Sequence, residues 1–99
     1  VSVMKRIGEH KAKKGLIRFE IEEEGSIAKN VRITGDFFIY PEETILELED
    51  ALKGKKLEEL EGIIDEFFSV RMDIEMPYID AEDFKMALKN ALSGENEKK

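Results

Sequence analysis

Between residues 17 and 22 apolar and charged side chains alternate without a break, Ile17, Phe19 and Ile21 against Arg18, Glu20 and Glu22. Successive side chains of a strand point to opposite faces, so this run describes a strand with one buried and one wet face. A sheet built that way is antiparallel, because parallel sheets are covered on both sides and lack the polar half. Glu24-Gly25-Ser26 follows as a tight turn, Gly25 being free to take positive φ. Ile27, Val31 and Ile33 then alternate with Ala28, Asn30, Arg32 and Thr34, and Lys29 is the one polar interruption on the buried side. The two runs predict an antiparallel hairpin. Val3, Lys5 and Ile7 point to an earlier strand, with Lys11-Ala12-Lys13-Lys14-Gly15 as its connecting turn.

The period changes after Tyr40. Pro41 with Glu42 and Glu43 reads as a helix start, since proline suits a first turn and acids there oppose the helix dipole. Ile45, Leu48 and Leu52 share a face, and Gly54 is the expected stop. A second helix carries Leu57, Leu60, Ile64, Phe67 and Phe68 inward and Glu58, Glu59, Glu61 and Asp65 outward. Asp80 with Asp83 caps a third, whose Phe84, Leu88, Ala91 and Leu92 face the core. Val70, Met72, Ile74 and Met76 alternate with Arg71, Asp73 and Glu75, which fits either a further sheet strand or an extended connector ended by Pro77. The segment from 93 to 99 is polar and is expected to fray. The pattern is α+β: a small antiparallel hairpin meander packed against two to three helices. All 99 residues form one domain, with 1–13 as its first strand and turn.

A chain of this size hides about 60–65% of its unfolded surface, enough for one thin two-layer core and no deep cavity. Its residues are 41% apolar and 39% charged. No apolar run nears the ~20 residues of a membrane span, and no signal peptide opens the chain, so a cytoplasmic setting is expected. Cysteine is absent, which removes disulfides, thiolate metal sites and thiol nucleophiles. A formal charge of −7 argues against nucleic acid, whose binding needs a net basic face. Abundant Lys and Glu with no glutamine resemble the thermophile pattern.

Few residues suggest chemistry. Glu22, Glu23 and Glu24 fall at a hairpin tip, where a charge run reads as a solvated loop. Asp73-Ile74-Glu75 resembles no calcium loop. His10, the single imidazole, has no serine placed as a partner and reads as a surface histidine rather than a general base. Lys11, Lys13 and Lys14 make a small basic patch, either a solubilising turn or a contact for phosphate or for acidic groups on a partner. The most informative stretch is Ile33 to Pro41. Gly35 permits a bend or bulge, and Asp36 can fold back onto backbone N–H groups. Four large residues then follow, Phe37, Phe38, Ile39 and Tyr40, more than a thin core can take, so Phe38 or Tyr40 is expected at the surface or at a contact.

Lys14-Gly15-Leu16-Ile17, Gly25, Val31 to Phe38, Pro41-Glu42-Glu43, Leu48-Glu49 and Ala51-Leu52-Lys53-Gly54 fall in an order that resembles the C-terminal accessory domain of lipoate-protein ligases. In some archaea and bacteria that domain is a separate small polypeptide. The resemblance runs from about Lys14 to Leu92, and Met76-Pro77-Tyr78-Ile79 lacks a glycine often found there. It implies a fold similar to sulfur-transfer and iron–sulfur scaffold proteins, without their cysteine chemistry. It also implies no catalysis by this chain alone and docking on a catalytic subunit that activates lipoate as lipoyl-adenylate and transfers it to an acceptor lysine. Lipoate, ATP and Mg are then expected in that partner, none bound by this chain alone, with lipoyl acceptor domains met only indirectly. Lys14, Gly35, Asp36, Phe37, Phe38 and Tyr40 are the residues expected at the interface or over the pocket. The alternative from the same residues is a small adaptor for an unrelated protein; a sulfur or metal carrier is disfavoured without cysteine.

Overall fold

In the computed structural model, residues 3–13 and 15–93 are described; Val1, Ser2, Lys14 and 94–99 lie outside them, and of the segment 93–99 expected to fray only Ser93 is described, as the last residue of a helix. Three strands come first, β1 (Met4–Ala12), β2 (Gly15–Glu24) and β3 (Ile27–Asp36). They form an antiparallel meander in the order β1-β2-β3. Helices α1 (Thr44–Leu52), α2 (Leu60–Ser69) and α3 (Ala81–Ser93) follow, a 3₁₀ turn at Leu57–Glu59 leading into α2. The architecture is the expected α+β arrangement. All three helices lie on the face of the sheet that carries Ile17, Phe19 and Ile21, and these three side chains are fully buried.

The register corrects two strand phases. Glu22 faces Asn30 and Glu23 faces Ala28, so Lys29 is an extra residue on β3, a bulge. One added residue reverses the facing of everything before it. Ala28 is therefore buried and Lys29 exposed, and the apparent polar residue on the buried side disappears. In β1 the inward residues are Arg6, Gly8, His10 and Ala12, opposite Ile21, Phe19, Ile17 and Gly15. Val3, Lys5 and Ile7 had pointed to an earlier strand, which is present, but Lys5 and Ile7 lie on its other face. The signal failed because α3 crosses β1 too closely for large side chains. A Cβ on Gly8 would lie 2.1 Å from the backbone nitrogen of Ala91. Lys11 and Ala12 are strand residues, so the connecting turn is shorter than expected.

The helices bury the expected faces: Leu48 and Leu52 of α1, Leu60 and Ile64 of α2, Phe84, Leu88 and Ala91 of α3. Phe37 meets Phe84 edge-on at 5.6 Å, and Phe68 stacks on Phe84 at 5.2 Å, so one aromatic cluster joins the chain after β3 to two helices. Asp83 N–H donates to Asp80 Oδ1 and Asp80 N–H to Asp83 Oδ2, at 3.2 and 3.1 Å, a reciprocal cap on α3. α1 starts later than Pro41 predicted. Tyr40 stays extended through two backbone bonds with Glu75, at 2.8 and 2.7 Å, and the residue before a proline resists the helical region. The Tyr40–Pro41 bond is cis, and Pro41 to Glu43 form a turn whose Pro41 carbonyl accepts from Thr44 N–H. The same pairing settles the segment before Pro77 as an extended connector with a single bridge, not a strand of the sheet.

Candidate functional site

Antiparallel pairing places the end of β1, the start of β2 and the end of β3 at one end of the sheet, since Ala12 faces Gly15 and Leu16 faces Asp36. This collects most of the residues singled out in the sequence. Gly35 lies within β3 opposite Ile17 and is not a bulge. Its requirement is close approach: φ is +145°, and a Cβ would lie 2.0 Å from the Leu16 carbonyl oxygen. Asp36 is exposed, and among the described residues no backbone N–H reaches its carboxylate, so the expected folding back is not seen. Lys14 falls outside the described residues.

The four large residues after Asp36 divide as an extended chain requires. Phe37 and Ile39 turn inward, Phe37 onto Phe84 and Ile39 into burial. Phe38 and Tyr40 turn outward and are 61% and 58% exposed. Phe37 to Tyr40 with Glu42 line an open recess of about 280 Å³. Tyr40 sits opposite Glu75, so the Glu75 side chain, on the neighbouring connector, shares its face. Glu75 carried no sequence signal, because the pairing that brings it there spans a long separation.

A second concavity, about 600 Å³ and open, lies beside the β1–β2 turn. His10, Lys11 and Lys13 line one side, Pro77 to Asp80 and Asp83 the other. His10 is no free surface histidine. It faces the helices, is 22% exposed, and its Nε2 lies 3.0 Å from Asp83 Oδ1. The sequence held both residues but nothing that linked β1 to the start of α3.

Ion pairs hold the surroundings in place. Arg71 bonds Asp73 and Glu47 and lies over the Phe67 ring at 5.4 Å, which ties the connector to α1 and α2. Asp73 is held below the usual carboxylate range by its bonds to Arg71, and Arg71 is raised by Asp73 and then Glu47. Lys85 on α3 is raised in the same way by Asp65 of α2 and by Glu82. Glu23, expected to be solvated, pairs with Arg6 across β1 and β2. By contrast Asp36, Glu42, Glu43 and Glu75 have no ion-pair partner among the described residues, and all four are exposed. Among the described residues no group of three His, Asp or Glu is placed to hold a metal ion. No described helix is long and apolar enough to cross a membrane.

Residues 5–88 match the family model described as bacterial lipoate protein ligase C-terminus. A curated relative, lipoate-protein ligase A subunit 2 of Thermoplasma acidophilum, is 42% identical over 79 residues, 80% of this chain and 82% of its own. A solved chain superposes with a TM-score of 0.80 at 39% identity, covering 88% of this chain and 97% of its own. It comes from the structural analysis of an archaeal lipoylation system, a bi-partite lipoate protein ligase and its E2 lipoyl domain, from the same Thermoplasma species. A Thermoplasma relative fits the Lys- and Glu-rich, glutamine-free composition.

Proposed function

This chain belongs to the lipoate protein ligase C-terminus family, and from that premise we propose that it is the accessory, non-catalytic chain of a two-part lipoate-protein ligase. The observation that carries the reading is the match to a relative named as a second subunit, with 82% of that relative covered. In this reading the chain docks on a catalytic subunit that uses ATP and Mg to form lipoyl-adenylate, then passes lipoyl to a lysine of an acceptor domain. The chain itself binds none of these alone. Its concavities are open grooves, which suit coverage of another protein's site better than a reaction of their own.

A physical role follows from the intermediate. An acyl-adenylate is a mixed anhydride that water destroys, so a domain that covers it excludes water during activation. The same domain must move aside to admit the acceptor lysine, which is a gating role. Lys14 supplies charge, Gly35 lets the strands close up at the sheet end, and Asp36, Phe38 and Tyr40 form the covering surface, anchored from beneath by Phe37 on Phe84. A cytoplasmic setting goes with an ATP-dependent partner.

The test is adenylate formation from lipoate and ATP by the catalytic chain, with and without this one. Activation only with both chains present is the expected result. Equal activation without it, and no complex by light scattering, would leave the adaptor reading in its place.

A further inference from the structure

Ten carboxylates and three lysines fall between Glu42 and Glu66, so this one segment carries the entire formal charge of −7 and the rest of the chain is neutral. The segment holds α1 and most of α2, and it begins beside the exposed rings of Phe38 and Tyr40. Glu42 shares a recess with those rings and Glu75 pairs opposite Tyr40, while Asp36 lies two residues before Phe38 and Glu43 follows Glu42 in the chain; none of the four is neutralised by an ion-pair partner among the described residues. Elsewhere the carboxylates of this face are used: Glu47 binds Arg71, Asp65 binds Lys85, and Glu49 accepts from Ile33 N–H at 2.7 Å. Asp50, Glu58, Glu59 and Glu66 are open as well, but Asp36, Glu42 and Glu75 are the open carboxylates that adjoin the two exposed rings.

We propose that Phe38 and Tyr40, rimmed by Asp36, Glu42, Glu43 and Glu75, form the docking centre for a basic surface of the catalytic subunit, and that acidic charge steers the two chains together. This rests on the two-part ligase reading above and adds the chemistry of the partner's face. An aromatic centre inside a charged rim is the usual anatomy of a protein interface, rings supplying affinity and charges supplying orientation. The rim selects the occupant by sign. A second copy of this chain would set carboxylates against carboxylates, so self-association through this face is disfavoured. A lysine- or arginine-bearing face on the partner matches it, with a recess for the two rings.

The experiment measures association and dissociation rates between this chain and the catalytic chain of the same source organism at low and high salt. The wild-type association rate is expected to fall by about tenfold or more between 20 mM and 300 mM NaCl, as electrostatic steering is screened. Glu42→Lys/Glu43→Lys should cut the low-salt association rate by a similar factor and flatten its salt dependence. Phe38→Ala/Tyr40→Ala should act on dissociation and weaken the complex by about 10- to 100-fold. Glu58→Lys/Glu59→Lys makes the same charge change beside the β2–β3 turn at the other end of the sheet and should be close to wild type. Circular dichroism melts confirm that each variant is folded. No complex between the wild-type chains overturns the two-part reading and this surface with it. A complex that both the aromatic and the rim variants leave intact overturns this surface alone, as does equal loss in the Glu58/Glu59 control. Wild-type dimers in sedimentation that the rim variants alter would assign the face to self-association instead.

Discussion

The sheet is decided at three places, and their signals in the sequence differed. The alternation at Ile17, Phe19 and Ile21 was legible because each position both pairs in the ladder and faces the core. Lys29 was legible only as an anomaly; a bulge is a matter of backbone register, and side-chain type records it weakly. Gly8 gave nothing, since a lone glycine in a strand has several explanations. Its role is to admit the backbone of Ala91 and Asn90. A methyl group at Gly8 meets backbone that no rotamer change can move, so Gly8→Ala must lift α3 from β1. We expect a loss of about 3 kcal/mol, the upper end for overpacking. Urea unfolding would show it as a lower midpoint with an unchanged slope. A loss below about 0.5 kcal/mol would mean that the helix can shift without cost, and that close approach here is not needed.

At the scale of elements, the helices were the most legible part because a 3.6-residue apolar stripe survives uncertainty at its ends. Their starts were less so. Pro41 looked like the first turn of α1, yet the pairing of Tyr40 with Glu75 holds the chain extended and delays the helix to Thr44. Asp80 and Asp83 marked the start of α3 correctly because a cap is a local device, made within four residues. Asp83 then also meets His10, which fixes the helix start against β1. Asp80→Ala should therefore destabilise the domain by about 1 kcal/mol, the usual worth of an N-cap. For a domain of this length that corresponds to about 4–8 °C in melting temperature. Asp80→Asn, which keeps an acceptor, should recover most of it. If alanine and asparagine melt together at the wild-type temperature, the cap contributes nothing and the His10 contact alone sets the end of α3.

The whole molecule separates two properties that sequence order mixes. Gly35 to Tyr40 stood out as a candidate because strong local signals sit in one stretch, but its neighbours Glu75 and the β1–β2 turn arrive only through the fold. Charge has the same character: no single acid stands out, yet the segment from Glu42 to Glu66, which holds α1 and most of α2, bears all of the net charge. Such a segment repels itself, and repulsion opposes folding. Asp50 and Glu66 show the cost best. Both are exposed, both lie toward the C-terminal ends of their helices, and neither α1 nor α2 has a basic residue in its last turn. Negative charge there adds to the negative end of the helix dipole. Asp50→Lys/Glu66→Lys, which takes the formal charge from −7 to −3, should stabilise the free chain by about 1 kcal/mol, roughly half from each site. The melting temperature should rise by about 4–8 °C at low salt, and the gain should shrink as salt screens the charges. Dissociation from the catalytic chain should be unchanged, because neither residue belongs to the Phe38–Tyr40 rim, while association at low salt should slow as the net charge falls. A natural sequence that forgoes so accessible a gain is under some other demand, and steering toward a basic partner is the demand argued here. If the variant melts no higher than wild type, acidity costs this fold nothing, and that argument for a partner-driven charge is lost.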